Sequence, residues 1–305
     1  MLAQGFCVGL GAGAINIPAF ALISSKFTTR RPIALGCAST GASIGGIVFP
    51  LMFRRLVPQI GFDAAVRAIA LVTALISIPT LVIYCRRPGV RSPAAKMVID
   101  ARAFTEPVFG TFVVALFFQF LAYYIPLFYL TTYAAVKLHT GIEFAYDLLA
   151  ISNAASFFGR TVPYLLAGSG GRITPIQILI SWEVIGIILL FSWMAVTSAR
   201  AMIVWTVAWG FLSGVLVTAP AASTAHPTLS PSLDVIGARL GMSWSTAALG
   251  VLIGAPIAGL LADVAHADFA RAQVFAGVVM AIAVGLMIVP LLAAHRFNKR
   301  KAQSL

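Results

Sequence analysis

Nine stretches of roughly twenty mostly apolar residues, separated by short connectors, run through the 305 residues of this chain. The hydrocarbon core of a bilayer is about 30 Å thick, and about 20 helical residues cross it. Backbone groups find no water there, so each crossing segment must satisfy its own hydrogen bonds as a helix. The sequence therefore predicts an all-α, polytopic transmembrane helical bundle in a lipid bilayer. The predicted spans lie near residues 2–24, 33–53, 64–85, 107–133, 144–167, 176–195, 202–224, 241–263 and 272–294.

Charged residues make up only 10% of the chain, against about 25% in a typical soluble domain. The net charge of +12 is distributed between the spans, which indicates membrane topology and argues against nucleic-acid binding. One alternating set of connectors holds 15 of the 21 Lys and Arg residues, and this set includes the C-terminal segment. Because Lys and Arg are retained on the cytoplasmic side, the C-terminus is predicted in the cytoplasm and the N-terminus outside.

The longest and most polar connector, 86–106, divides the chain unequally. It separates a partial N-terminal bundle of three spans, 1–85, from a six-span bundle, 107–294, and a basic cytoplasmic tail follows at 295–305. Six spans are the proportion of one half of a twelve-span transporter, in which substrate binds between two halves near the bilayer midplane. In this interpretation the first three spans of the first half are absent, as expected of a fragment, a truncated gene model or a shortened isoform.

Several motifs resemble one transporter family when they are taken together and in order. They are G-L-G-A-G-A-I-N-I-P at 9–18, F-T-T-R-R-P-I-A-L-G-C-A-S-T-G-A-S-I-G-G-I-V-F-P at 27–50, P-Q-I-G-F-D-A-A-V-R at 58–67, Y-Y-I-P-L-F-Y-L-T-T-Y-A at 123–134, I-S-N-A-A-S-F-F-G-R-T-V-P at 151–163, and L-S-P-S-L-D-V-I-G-A-R-L-G-M followed by G-V-L-I-G-A-P-I-A-G. This series resembles the monocarboxylate-porter branch of the major facilitator superfamily, especially its fungal members. The resemblance covers nearly all of the chain and implies a major-facilitator-type fold and transport of a small molecule.

The chain departs from that family at two acidic positions. Gly168 stands where the superfamily often has an acidic residue after the eighth span, and Ser156 stands where animal members place a proton-coupling Asp. The resemblance therefore does not carry proton coupling over to that pair. The missing early spans also remove the basic first-span residue that helps the family to hold an anion.

Arg160 is the strongest candidate for substrate binding, because an ionisable residue inside a span is costly and is a functional hypothesis by default. Asn153, Ser156 and Arg160 fall on one helical face at spacings of three and four residues. That face could line a polar cavity in which Arg160 grips a carboxylate. The alternative is that Arg160 extends to the cytoplasmic interface or joins helices.

Glu183 lies well inside the span 176–195 and is the candidate for proton coupling, since a symporter needs a carboxyl group that takes up and releases a proton. The alternative is a neutral or hydrogen-bonded Glu packed against a neighbour. Asp147 and Asp263 lie near span ends and are predicted to be interfacial.

Aromatic residues add further candidates. Tyr124 and Phe128 share one face of the span 107–133, and Tyr123 shares another with Gln119; the alternative is an interfacial aromatic belt with ordinary packing. Pro126 could open a local break in this span, with freed carbonyls facing a cavity. Phe211 and Ser213 resemble substrate-facing positions of the family's tenth span.

Glycines at i, i+4 spacing predict close helix packing. The pairs are Gly9 and Gly13, Gly41 and Gly45, and Gly250 and Gly254.

No catalytic constellation, nucleotide-binding motif, metal-ligand spacing or cofactor motif is found in the sequence, so an enzyme is not predicted. The favoured function is a secondary-active transporter of a small organic anion or related metabolite, working by alternating access. The alternative is a non-transporting truncated membrane protein, such as a sensor or an assembly partner. The expected partners are the lipid bilayer and a small-molecule substrate, with a proton as candidate co-substrate and no nucleic acid. A monomer in the plasma membrane is predicted, with the vacuolar membrane as the alternative location.

Overall fold

The computed structural model describes residues 3–27, 30–86, 99–167 and 173–303. Within these ranges the chain is almost entirely helical and contains no β-strand, only an isolated bridge between Asp263 and Asp268. A π-helical turn at Ala3–Cys7 and short 3₁₀ turns at Ala101–Thr105 and Trp193–Ala195 accompany the α-helices. The α-helices are α1 (Val8–Lys26), α2 (Arg31–Ile60), α3 (Phe62–Arg86), α4 (Pro107–Val136), α5 (Ile142–Gly159), α6 (Val162–Ala167), α7 (Pro175–Ser192), α8 (Ala199–Thr224), α9 (Leu233–Leu261) and α10 (Ala270–Gln303).

Local sequence signals account for several helix starts. The Thr174 hydroxyl accepts the Gln177 N–H and the Gln177 side chain accepts the Thr174 N–H, so the two residues form a capping box at the start of α7. Ser198 caps α8 by accepting the N–H of Ala201. Pro107 occupies the first position of α4, where its missing N–H costs nothing.

Eight described helices are long and apolar enough to cross a membrane, so the all-α polytopic architecture predicted from the sequence is confirmed. The predicted span 144–167 is the exception, because the chain turns at Arg160 and Thr161 and divides this segment into α5 and the short α6. Glu143 and Asp147 lower the hydropathy of α5, so α5 is less apolar than the eight candidate spans.

α4 is the central helix of the six-span region. It packs against α9 and α10, and also against α5 and α8, while α7 packs against α8 and α10. Buried side chains of these helices form one continuous apolar core. The most apolar windows of α4 and α8 are 61% buried inside the protein, whereas that of α1 is 0% buried, so the six-span region holds most of the packing.

α1–α3 attach to this region through two helices. α1 contacts α9, and α2 contacts α5 and α8. A smaller apolar cluster, which includes Phe20, Leu35 and Ile236, joins α1 and α2 to α8 and α9. The surfaces that remain exposed carry large apolar side chains, such as Leu75 and Leu260, as expected where helices face lipid.

Three details differ from the sequence-based expectations or lie beyond the described residues. α4 runs through Pro126 without a break, although a proline inside a helix removes one hydrogen bond and crowds the carbonyl four residues earlier, because helices pack on both sides of α4. The segment predicted as a tail, 295–305, continues α10 as far as Gln303. Most of the predicted connector 86–106 lies outside the described residues, which resume at 99.

Polar contacts bring several connectors together at one end of the bundle. Arg31 Nη1 donates to the Ala225 carbonyl at 2.6 Å, and the His226 and Phe297 rings lie 5.8 Å apart. Arg239, at the start of α9, donates to Asp100 before α4. All of these residues belong to connectors or helix ends that the charge pattern assigns to the cytoplasmic side.

Candidate functional site

Arg160 occupies the turn between α5 and α6, where the helix ends after Gly159. The residue is only 8% exposed, and its Nη1 donates to the Ser39 carbonyl of α2 at 3.1 Å. Its Nε has no hydrogen-bond partner among the described residues. Arg160 therefore joins the six-span region to α2 and still has one buried N–H group to offer.

Two tyrosines of α4 lie close enough to Arg160 to interact with it electrostatically. They are Tyr123 and Tyr124, whose rings meet edge to face with centroids 4.7 Å apart. The Tyr123 hydroxyl donates to the Ser213 carbonyl of α8 at 3.3 Å. Four of the predicted residues, Arg160, Tyr123, Tyr124 and Ser213, are thus brought together where α4, α5 and α8 meet.

Two more polar residues belong to the same region: Tyr164, which the sequence analysis did not select, and Gln119, which it placed on one face with Tyr123. The Tyr164 hydroxyl donates to Thr218 Oγ1 at 3.1 Å and lies near Arg160. Gln119 Nε2 donates to the Leu216 carbonyl at 2.9 Å, and its buried Oε1 has no partner among the described residues. The spacing of four residues between Arg160 and Tyr164 is the signal that could have indicated Tyr164, whereas the backbone partner at Ser39 leaves no mark in the sequence.

Asn153 and Ser156 lie in helix–helix contacts and not on an open wall beside Arg160. The Asn153 amide lies against Gly46 of α2, and its Nδ2 donates to the Leu149 carbonyl at 2.9 Å. Ser156 is buried where its carbonyl meets Gly214 of α8. Glycines on α2 and α8 let these helices approach α5 so closely that the predicted polar face becomes a packing face.

The remaining aromatic candidates point in different directions. Phe128 is 54% exposed and contacts the Tyr124 ring at 5.8 Å, one helical turn further along α4. Phe211 packs against Trp182 of α7 at 5.3 Å, away from the tyrosine pair. Phe120 and Trp244 were not predicted, yet their ring centroids lie 5.4 Å apart and extend the aromatic contacts from Tyr124 to α9.

Glu183 lies in α7, which packs between α8 and α10, and it is fully buried. Neither carboxyl oxygen has a hydrogen-bond partner among the described residues. A neutral, protonated acid tolerates such a place far better than an ionised carboxylate does. Among the described residues, no hydrogen bond joins this carboxyl group to Arg160.

The glycine pairs also fall into two groups. A methyl group at Gly250 or Gly254 would clash with the Phe117 or Leu121 carbonyl of α4, so these glycines lie at a close helix crossing. Gly9, Gly13 and Gly41 have open space where a side chain would lie, and Gly45 faces only Phe49 of its own helix. For these four the predicted packing role is not visible in the described chain, because no neighbouring helix approaches them.

The comparisons with known proteins agree with this architecture. A family model described as Major Facilitator Superfamily matches residues 1–231. The chain belongs to the major facilitator superfamily. Over 287 residues it is 33% identical to the MFS-type transporter dbaD of Emericella nidulans. The matched region covers 93% of this chain and 62% of dbaD.

Other relatives give the same result. The MFS-type transporter hasB of Aspergillus fumigatus is 35% identical over a region that covers 92% of this chain and 65% of hasB. The Fujikurins efflux protein of Gibberella fujikuroi is 32% identical over a region that covers 94% of this chain and 61% of that protein. The chain thus spans less than two thirds of the length of these curated relatives.

A solved structure supports the fold. The transporter FucP, a major facilitator crystallised in the outward conformation, superposes with a TM-score of 0.61 at 16% identity, covering 90% of this chain and 72% of FucP. At that identity the likeness concerns the fold alone. The family match and its named relatives, together with the eight candidate spans, make this chain an integral membrane protein.

Proposed function

We propose that this chain belongs to a secondary-active transporter that moves a small organic anion or related metabolite across a membrane by alternating access. Its relatives are named transporters or efflux proteins, which supports membrane transport as the general activity. We infer an anionic substrate from Arg160, a buried cation with an unpartnered N–H group beside two tyrosines.

The chemistry of Arg160 suits an anion. A guanidinium offers five N–H donors in a planar fork that matches a carboxylate, and such charge-assisted bonds are about twice as strong as neutral ones. The structure assigns one hydrogen bond from this side chain, to the Ser39 carbonyl. A carboxylate would supply both the missing hydrogen bonds and the compensating charge for a buried cation.

The surroundings of Arg160 favour an amphipathic substrate. Tyr124, Phe120 and Trp244 form an adjoining aromatic cluster, and aromatic side chains with a few polar groups are typical of small-molecule sites. Two relatives are named for the efflux of fujikurins and aspyridones. We therefore favour an exported organic acid with an apolar body over a short, strongly hydrated anion.

Proton coupling through Glu183 is the finer part of the proposal. The resemblance to the monocarboxylate-porter branch suggests symport, but its usual acidic partner is replaced by Ser156. Glu183 is a buried carboxyl group without a hydrogen-bond partner among the described residues, which makes it the best alternative carrier. Its separation from Arg160 requires that coupling act through helix movement and not through direct contact.

Flux into proteoliposomes tests the proposal, with a panel of aliphatic and aromatic carboxylates and an imposed pH gradient. Arg160→Ala removes the anion contact, so the KM for a transported acid should rise about ten- to a hundredfold, the equivalent of one charge-assisted hydrogen-bond pair. Arg160→Lys keeps the charge but not the planar fork of donors, so its KM should lie between the values of the parent and of Arg160→Ala. Arg200→Ala, at an exposed position at the start of α8, is the matched control and should transport like the parent.

The same assay separates the finer claims. Glu183→Gln should keep flux down a substrate gradient but lose its stimulation by the pH gradient. Unchanged flux in Arg160→Ala would remove Arg160 from the mechanism, and unchanged pH stimulation in Glu183→Gln would remove Glu183. A chain that binds the acids, measured by quenching of tryptophan fluorescence that a Trp244→Phe variant lacks, but gives no flux in any variant would favour the alternative of a non-transporting membrane protein.

A further inference from the structure

α2 and α5 are the helices through which the N-terminal group makes its most extensive contact with the six-span region. They run antiparallel, and paired residues mark the contact from one end to the other. Gly36 meets the Arg160 backbone near the cytoplasmic end, Gly46 meets Asn153 in the middle, and Arg54 meets Glu143 at the far end. This α2–α5 contact therefore spans the predicted thickness of the membrane.

The far end of the contact is held by charges. Arg54 Nη2 pairs with Glu143 Oε2, and Arg54 Nη1 lies 3.7 Å from Asp147 Oδ1. Glu143 and Asp147 are four residues apart on α5, so both face the same guanidinium. We call Arg54, Glu143 and Asp147 the outer ion-pair cluster, because the charge pattern places this end on the non-cytoplasmic side.

An apolar groove of about 260 Å³ lies between α2 and α5 beside the cluster. It is lined from α2 by residues such as Ile47, Pro50 and Val57, and from α5 by Tyr146, Leu149 and Ala150. Arg54 also lines this groove. The helices therefore leave a groove at this end of the contact, and the ion pairs of Arg54 join the two helices beside it.

We propose that the outer ion-pair cluster is a latch that holds the outer ends of α2 and α5 together and opens when the transporter exposes its site to that side. This inference rests on the proposed alternating-access function. In such a cycle one helix group moves against the other around the substrate site, so contacts between the groups at each end must form and break. Among the described residues, this cluster is the salt bridge that joins the N-terminal helices to the six-span region.

The exposure of the charges suits a contact that must open. The side chains of Arg54, Glu143 and Asp147 are 34%, 73% and 61% exposed. Such partly solvated pairs contribute modestly, so their loss changes the balance between two conformations without unfolding the protein. The inner end differs, since Arg160 there contacts a neutral carbonyl and can exchange it for a substrate anion.

Cross-linking measures the latch directly and needs no transport. Val57→Cys and Tyr146→Cys, on opposite walls of the groove, are introduced together after Cys7, Cys37 and Cys85 are replaced by alanine. A protease site is inserted between residues 87 and 98, which separates α2 from α5 in the chain. After reaction with a short bis-maleimide and proteolysis, the fraction of fragments that remain joined reports how often the outer ends are together.

Arg54→Gln should lower the rate of cross-linking by about two- to fivefold, the range that an exposed ion pair supports. Arg54→Glu should lower it further, because like charges then repel across the contact. Exchanging the charges, with Arg54→Glu, Glu143→Arg and Asp147→Arg combined, should restore the parental rate. Arg55→Gln, at the neighbouring exposed arginine, is the control and should leave the rate unchanged.

Equal rates in the parent, Arg54→Gln and Arg54→Glu would overturn the latch, as would a charge exchange that fails to restore cross-linking while the protein elutes as a monodisperse species. The latch and the proposed function fail separately. Cross-linking that depends on Arg54 in a protein without any flux would keep the ion-pair contact and reject the transport cycle, whereas normal flux with charge-independent cross-linking would reject only the latch.

Discussion

Arg239 shows how a charge inside an apolar helix can serve structure and not transport. Its guanidinium donates to Asp100 Oδ2 from two nitrogens, to both carboxyl oxygens of Glu106, and to the Leu229 carbonyl. The ring of Phe109 lies 5.0 Å from its central carbon. With its donors occupied, this side chain has nothing left for a substrate, in contrast to Arg160.

Arg239→Ala would leave the Asp100 carboxylate, whose side chain is 10% exposed, without its main partner. Breaking a buried pair on one side costs about 3 kcal/mol or more, since the remaining charge stays desolvated. We expect a loss of that size in the free energy of unfolding, measured by titration with SDS in mixed micelles. Arg102→Ala, at an exposed arginine of the same connector, should change stability by less than about 0.5 kcal/mol. Equal stability of the two variants would show that the network contributes little.

At the residue scale the sequence was informative wherever a charged residue falls inside an apolar span. Arg160 and Glu183 could be selected because ionisable groups inside apolar spans are rare. The partner of Arg160 could not, because Ser39 contributes a backbone carbonyl, and the partner of Arg239 could not, because Asp100 lies far from it in the chain. Asn153 and Ser156 were placed with Arg160 by helical periodicity, which gives a shared face but not what covers that face.

At the scale of helices, the crossing of α4 and α9 depends on two glycines. The carbonyls of Phe117 and Leu121 occupy the space where side chains of Gly250 and Gly254 would lie. Gly250→Ala or Gly254→Ala should therefore force the helices apart and cost about 1–3 kcal/mol of unfolding free energy. Gly241→Ala, on the same helix but with open space around it, should instead stabilise the protein by about 0.5–1 kcal/mol, because alanine is the better helix former.

Thermal unfolding of the purified variants in one detergent checks this difference of sign. Destabilisation of all three variants by the same amount would mean that helix propensity or detergent contact, and not the α4–α9 crossing, determines the effect.

The helices themselves could be predicted well from hydropathy, while their irregularities could not. Eight spans are long apolar helices, but hydropathy does not show the turn after Gly159 that ends α5. Pro163 has no N–H to bond the Gly159 carbonyl, which is a local cause of this turn, and Gly36 closely approaches the Arg160 backbone there. The continuity of α4 through Pro126 depends on tertiary contacts, since packing on both sides holds the helix together. Glycine repeats indicate where helices can approach, but identical spacings at Gly9 and Gly250 meet open space in one case and a helix in the other.

At the scale of the whole molecule, the distribution of charge and the packing of the helices distinguish the same two ends of the bundle. Arg31 and Ala225, His226 and Phe297, and Arg239 and Asp100 meet at one end, whereas the outer ion-pair cluster lies at the other. The two helix groups are thus joined at both ends of their contact. One end carries the larger share of Lys and Arg and is predicted to face the cytoplasm, which makes orientation in the membrane a property that can be measured.

Cysteine labelling tests this orientation, because α8 crosses the bundle between an exposed residue at each end, Thr197 and Ser232. With the native cysteines replaced by alanine, Thr197→Cys should react with a membrane-impermeant maleimide in intact cells, and Ser232→Cys only after permeabilisation. The reason is that Lys and Arg are retained on the cytoplasmic side, which places the connector 225–232 and the C-terminus inside. The reverse pattern would invert the topology and move the outer ion-pair cluster to the cytoplasmic face. Labelling of neither residue before permeabilisation and of both afterwards would favour an internal membrane, such as that of the vacuole, over the plasma membrane.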